Sequence, residues 1–203
     1  MSKQVIYTIG RQYGSDGRAV GEALAKQLGI PFYDRELLAE VSKDSAYAVE
    51  VLDSFDEKPM RSLLYSMAMG QSGGMMNAEM PLSMQAFLAQ LQTIQRLADE
   101  NGSCVFVGRC ADYALRDRTN VVSVFVTSEK EARIKTVMER DGVSEEKAQA
   151  MMRRIDKNRA SYYNYYTEQR WGTAENYDLC INSARLGVEG TAQYIAQFGE
   201  KIV

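Results

Sequence analysis

Residues 5–28 read VIYTIGRQYGSDGRAVGEALAKQL. The first five, Val5-Ile6-Tyr7-Thr8-Ile9, are an apolar, β-branched run. Gly10, Gly14 and Gly17 punctuate the turn that follows, and beyond it Val20, Leu24 and Leu28 recur at every fourth position. The period therefore changes from strand to helix across the glycines. Gly29 and Pro31 supply a stop for that helix. Strand, glycine-rich loop and helix in succession are the layout of a phosphate-binding loop. Glycines let backbone N–H groups approach an anion, and the helix N-terminus adds a favourable dipole. The residues depart from the pattern G-x-x-x-x-G-K-[ST]. Arg18 and Ala19 follow Gly17, so the loop has no lysine and no hydroxyl after its basic residue, and Ser15 is the only hydroxyl between Gly14 and Gly17. Arg18 becomes the candidate cation, because a guanidinium grips phosphate through paired donors. The alternative is an ordinary strand-to-helix turn with a surface arginine.

Outward from this stretch the order strand–helix repeats. Short apolar runs with little alternation predict strands at 4–9, 31–33, 104–107, 121–126 and 178–181. Such runs belong to a parallel sheet covered on both faces, so the fold class is three-layer α/β with a central parallel sheet of about five strands. Helices are expected at 35–41, 45–53, 60–69, 82–100, 144–162 and 188–198, with a hydroxyl cap from 127–128 opening a helix after the fourth strand. In the helix over 82–100, Met84, Phe87, Leu88, Leu91, Ile94 and Leu97 fall on one face. Most of the 11 methionines lie between 60 and 84, where this adaptable side chain suits a packed helical insertion or a lobe that closes over a substrate. The chain reads as one domain over 1–203, with a core of 1–41 and 96–203 and a helical insertion at 42–95.

The composition narrows the chemistry. With 203 residues, 45% hydrophobic and 25% charged, the chain has the make-up of a globular domain. A net charge of -3 gives no basic excess for a nucleic acid polymer. No apolar run approaches the roughly 18 residues that span a bilayer, and the N-terminus shows no basic-then-apolar signal segment. Cys104, Cys110 and Cys180 are odd in number and widely spaced, which fits reduced, buried thiols and a cytoplasmic location. Histidine is absent, which removes Ser-His and Cys-His nucleophile pairs and most zinc sites. No residue is assigned as a metal ligand. Chemistry must rest on Arg, Lys, Asp, Glu and backbone donors, and phosphoryl transfer, which needs positioning and charge stabilisation, is compatible with that set.

Three charged constellations follow strand ends or connect strands. Asp34 and Arg35 follow the second strand, and Arg109 follows the third, where open α/β sheets bind their ligands. Between the last two strands, Arg153, Arg154, Asp156, Lys157 and Arg159 crowd one helix, ahead of Tyr162, Tyr163, Tyr165 and Tyr166. A solvated helix face is the ordinary reading of such a run. Several arginines beside a nucleotide would instead neutralise its phosphates on closure.

Three stretches together resemble the cytidylate kinase-like family, a branch of the P-loop nucleoside monophosphate kinases. VIYTIGRQYGSDGRAVGEALAKQLGIPFYDRELL at 5–38 resembles the family's opening, SCVFVGRCADYAL at 103–115 its third strand and Gly-Arg turn, and RRIDKNR at 153–159 its arginine-rich lid. The resemblance implies a P-loop NTPase-like fold and phosphoryl transfer from ATP, with Mg²⁺, to a nucleoside monophosphate, cytidylate or another pyrimidine. It places the donor phosphates on Gly14, Ser15, Gly17 and Arg18, in a loop that includes Asp16 and Ala19. It places the acceptor on Asp34, Arg35 and Arg109, with Asp112 standing two positions after Cys110 where the family has an acidic residue. It makes Arg153, Arg154, Asp156 and Arg159 a lid within about 144–170, and Arg18, Arg154 and Arg159 the catalytic charges. The partners are nucleotides, with no membrane and no nucleic acid polymer, and an oligomer is compatible with the sequence.

The departures at Arg18, Ala19 and Cys110 keep two alternatives open: a nucleotide-binding module without turnover, and a kinase of a small non-nucleotide metabolite. A dinucleotide oxidoreductase is disfavoured, because the glycines do not make G-x-G-x-x-G.

Overall fold

The structure, a computed structural model, describes residues 4–45, 47, 49, 52, 53, 57 and 80–202. Among these, five strands form one sheet: β1 (Ile6–Arg11), β2 (Phe32–Tyr33), β3 (Cys104–Val107), β4 (Val121–Thr127) and β5 (Leu179–Asn182). Their order is β2-β3-β1-β4-β5 and every pairing is parallel. All five predicted strands are present, displaced by two residues at most. β1 lies in the middle, with β3 on one side and β4 on the other. The strand order therefore reverses at β1, and a crevice opens beyond its carboxyl end.

The helices are α1 (Gly17–Leu28), α2 (Glu36–Asp44), α3 (Leu82–Asn101), α4 (Ala111–Ala114), α5 (Lys130–Asp141), α6 (Glu145–Thr167) and α7 (Ser183–Ile202). Alternation along β1 sends Tyr7 and Ile9 to the face covered by α1 and α7, where they meet Val20, Leu24, Ala192 and Ile195. Ile6 points the other way, into a cluster with Leu37, Val41, Ile94, Leu97 and Phe106 from α2, α3 and β3. Burying each such side chain contributes about 1.5–3 kcal/mol, and the two clusters make the three layers. α5 and α6 pack on each other through Ile134, Val137, Ala148 and Met152. Farther along α6, Tyr162, Tyr163 and Tyr166 join Phe87 and Cys110, so the helix reaches from the loop side of the crevice to the β3 side.

Several local expectations are corrected. Leu88 is exposed, because the buried face of α3 runs through Phe87, Gln90, Thr93, Ile94 and Leu97. The two polar residues on that face are tolerated because they are bonded: Gln90 donates to the Arg109 carbonyl (3.1 Å) and Thr93 to Asp44 (2.7 Å). The N-cap of α5 is Glu129, without a side-chain cap bond. α7 begins at Ser183, five residues early, with a break at Gly187. Cys104 and Cys110 are buried, but Cys180 is exposed, since β5 is an edge strand whose outer face is left uncovered. Tyr165 is also exposed. The helices expected at 45–53 and 60–69 lie outside the described residues, isolated positions apart. No helix among the described residues is long and apolar enough to cross a membrane.

Gly17 is where the helix meets the sheet most closely. A Cβ there would lie 2.5 Å from Cβ of Arg11 and 3.2 Å from Cβ of Val126. Gly17→Ala therefore overpacks the junction. It should cost about 1–3 kcal/mol, read as a lower urea midpoint with an unchanged m-value; an unaltered midpoint would contradict the close packing.

Candidate active site

The loop between β1 and α1 is tied down from three sides. The buried Ser15 hydroxyl lies within hydrogen-bond reach of the Gln12 carbonyl (2.9 Å) and the Val126 carbonyl (3.0 Å). The Ser15 carbonyl accepts from Ser183 Oγ (2.7 Å). The Tyr13 N–H donates to Asp156 Oδ1 (2.7 Å), while the other oxygen of Asp156 pairs with Arg133. Thus Ser15 belongs to the scaffold of the loop, and Asp156 clamps α6 onto it. The first N–H groups of α1, on Gly17, Arg18 and Ala19, have no intrahelical acceptor. Those residues line a cleft of about 650 Å³ together with Gly14 and Asp16, a size ordinary for a ligand pocket. Burial pushes the Asp16 carboxyl up, opposed by a hydrogen bond from Thr136 and by Arg140.

Three arginines also line this cleft. Arg11 ends β1, Arg109 follows β3 and Arg159 reaches in from α6. Arg11 and Arg109 are 9% and 3% exposed. All three residues, Arg109 through its backbone, meet one carboxylate, that of Glu57. It accepts from Arg11 Nη1 (2.5 Å), from Arg159 Nε (3.1 Å) and from the backbone N–H of Arg109 (3.3 Å). Arg159 also donates to the Arg11 carbonyl (3.2 Å). A second carboxylate, Asp34 at the end of β2, accepts from Arg109 Nη1 (3.0 Å) and Arg18 Nε (2.7 Å). Burial works against the charge of both acids. At Glu57 the guanidiniums of Arg11, Arg159 and Arg109 outweigh it and hold the carboxyl far below its usual range. At Asp34, Arg109 and Arg11 likewise lower the carboxyl against its burial. Burial and the repulsion of Arg11 lower the pKa of Arg159.

Behind the cluster lies a cavity of about 20 Å³, room for one water. Its walls include Thr8, Asp112, Tyr163, Trp171 and Tyr177. Burial raises the Asp112 carboxyl, opposed by the Tyr163 hydroxyl, which donates to it at 2.7 Å. Thr8 Oγ1 is buried without a hydrogen-bond partner among the described residues.

The sequence-predicted residues thus fall into groups. Gly14, Asp16, Gly17, Arg18, Ala19, Asp34, Arg35, Arg109, Arg154 and Arg159 share the large cleft. Ser15 lies outside its lining, Asp112 faces the small cavity, and Arg153 is exposed on α6 outside both. Arg18 turns along α1 to Asp34 and Glu22. Arg35 and Arg154 are exposed in the cleft with no ion-pair partner among the described residues. Sequence reasoning missed Arg11 and Glu57. Arg11 carried the same signal as Arg109, an arginine directly after an apolar strand. Glu57 carried none, because no periodicity or motif marks its surroundings.

The two depressed carboxyls make a pH prediction. A folded value below the unfolded one stabilises above the unfolded pKa, and that stability is lost as pH falls through it toward the folded value. For Glu57 the loss should begin near about pH 4.5. Acidification from pH 6 to 3 should therefore narrow the stability gap between wild type and Glu57→Gln. The comparison cancels Asp16 and Asp112, whose burial acts in the opposite sense. A gap independent of pH in urea denaturation would contradict the ion-pair assignment.

A family model described as the cytidylate kinase-like family matches residues 6–185. A crystal structure of an uncharacterized protein from Eubacterium ventriosum is 32% identical, with a TM-score of 0.74, covering 98% of this chain and 99% of that one. Shikimate kinase from Bacteroides thetaiotaomicron is 14% identical with a TM-score of 0.53, covering 96% of this chain and 97% of that one. A gluconokinase from Sinorhizobium meliloti is 15% identical with a TM-score of 0.52, covering 98% and 96%. At those identities the likeness to the two kinases is one of fold. Among curated proteins none matches. The P-loop kinase fold, the matched length and the arginine-lined cleft at the carboxyl end of β1 agree: the chain belongs to the cytidylate kinase-like family.

Proposed function

We propose that this protein transfers a phosphoryl group from ATP to an anionic acceptor, a nucleoside monophosphate of the cytidylate type. One observation carries the reading: the free N–H groups at the start of α1 and the largely buried Arg11–Arg109–Arg159 cluster face a single cleft of about 650 Å³. Helix N-termini bind phosphate, and a second positive site in the same cleft suits a second anion. The donor phosphates would lie against Gly14, Gly17, Arg18 and Ala19, with Asp16 and Ser15 shaping that loop. The acceptor would lie against Arg11, Arg35 and Arg109, with Asp112 behind. Arg18 and Asp34 would act together, Arg18 keeping Asp34 ionised beside Arg109. Arg153, Arg154 and Arg159, with Asp156 as the clamp, would form the lid within about 144–170, and 42–95 the acceptor-side insertion.

Mg²⁺ would arrive on the nucleotide, because it is usually held by one or two carboxylates plus phosphate oxygens and keeps several waters. The residues fit that mode. Asp34 and Glu57 are engaged by arginines, whereas Asp16 at the loop makes no ion pair among the described residues and lies in the cleft. The metal would supply charge neutralisation between the transferring phosphates. The chain's own arginines do the rest, since charge spreads over the phosphoryl oxygens in the transition state. We place the enzyme in the cytoplasm, where its three free thiols stay reduced.

A second acceptor class, a small non-nucleotide metabolite, is favoured by the fold that the chain shares with a shikimate kinase and a gluconokinase. Coupled measurement of ADP release with a panel of nucleoside monophosphates, shikimate and gluconate separates the two. Turnover on a monophosphate is expected. Turnover only on a sugar acid or cyclic acid would move the acceptor to the second class, and tight nucleotide binding with no turnover would make the protein a binding module. Arg154→Ala tests the lid: exposed in the cleft, it should lower kcat by about 10²-fold with little change in KM. An unchanged kcat would return Arg154 to the status of a solvated side chain.

A further inference from the structure

The turn that follows β3 is unusual. Gly108, Arg109 and Cys110 take φ values of +74, +54 and +53, so three successive residues are left-handed. For non-glycine residues this conformation is costly and tends to persist where function holds it. The Gly108 N–H is taken by the Ile9 carbonyl (3.0 Å), which leaves the Arg109 N–H of the turn to meet an anion. Here an anion already lies against it. Glu57 Oε1 takes the Arg109 N–H and the Arg11 guanidinium together. Gly108 leaves the space: a Cβ there would lie 2.2 Å from Glu57 Oε1 and 2.0 Å from Arg11 Nη1. Arg159 closes the far side through Oε2. The subsite thus surrounds a carboxylate as it would a phosphate oxygen pair, with forked guanidiniums and a backbone donor.

We propose that Glu57 is an internal occupant of this anion subsite, a stand-in that an anionic acceptor must displace. The inference rests on the reading of the cleft as an acceptor site. The guanidiniums of Arg11 and Arg159 and the backbone N–H of Arg109 converge on one carboxylate, while Asp34 holds the Arg109 guanidinium and is shared with Arg18. A phosphate monoester, with close to two negative charges, balances the cluster better than the single charge of Glu57. A neutral acceptor that displaced Glu57 would leave the Arg11 and Arg159 guanidiniums without its charge, a large penalty. Glu57 therefore makes the site selective: it keeps the arginines in place in the empty protein and yields to an anion of higher charge. It also weakens apparent affinity, since binding is reduced by the fraction of molecules in which the subsite is open.

The test is titration of the full chain with inorganic phosphate, without nucleotide, followed by calorimetry and by the fluorescence of Trp171. That residue is the single tryptophan and lines the same small cavity as Glu57. Glu57→Gln, which removes the charge but keeps the shape, should bind phosphate on the order of tenfold more tightly than wild type. Arg159→Gln added to Glu57→Gln should remove that gain, assigning the phosphate to the cluster and not to the loop. Glu57→Asp, which keeps the charge and shortens the reach, should show a smaller gain. Equal phosphate affinity in wild type and Glu57→Gln overturns the proposal. If Glu57→Gln does not fold, an unchanged affinity in Glu57→Asp overturns it instead. A gain that survives loss of Arg159 also overturns it. Because no ATP is present, a protein that binds phosphate as predicted but transfers none would lose the proposed function and keep this inference. A protein that turns over an acceptor while Glu57→Gln binds phosphate no better would do the reverse.

Discussion

Three guanidiniums held together out of water are the constraint around which this molecule is arranged. Arg11, Arg109 and Arg159 would repel one another, and their desolvation costs several kcal/mol per ion unless paired. Two carboxylates, Glu57 and Asp34, offset that cost, and each is drawn from a different part of the chain. The sheet order makes the convergence possible. β1 and β3 are parallel neighbours, so the residues after their last apolar positions emerge at the same edge. α6 supplies the third arginine only because Asp156 fastens it to the loop through the Tyr13 N–H and Arg133. A fold that placed any of these strands antiparallel would scatter the charges.

The same logic explains what the sequence revealed. Apolar runs without alternation predicted a buried parallel sheet, and the switch across the glycines from a continuous apolar run to helical spacing marked the crevice. Arg109, Asp34 and Arg159 were legible because motif or position drew attention to them. The buried face of α3 was misread at Leu88, since periodicity counts apolar residues and the structure buries Gln90 and Thr93 through hydrogen bonds instead. Glu57 was not legible at all: its place depends on three partners at least 46 residues away in sequence.

Arg18 shows a different limit. Its position at the start of α1 suggested a replacement for the loop lysine, yet a long side chain at a helix start can swing toward the loop or along the helix. Here Asp34, Glu22 and the face of Phe32 draw it along the helix. On the proposed reading, charge at the loop itself would then be carried by backbone N–H groups and by the arginines of α6. In the proposed reaction Arg154, exposed in the cleft, and Arg159, already engaged by Glu57, would divide that task between them. Such a division suits a reaction whose transition state needs more positive charge than its ground state.

A crystal structure with a non-hydrolysable ATP analogue and cytidine monophosphate bound tests the central claim most directly. The arrangement predicts triphosphate density against the N–H groups of Gly17, Arg18 and Ala19. It also predicts the monophosphate on Arg11, Arg109 and Arg159, with the Glu57 carboxylate moved out of the cluster. Nucleotide bound elsewhere, or Glu57 still paired to the three arginines with the acceptor phosphate outside them, would contradict it.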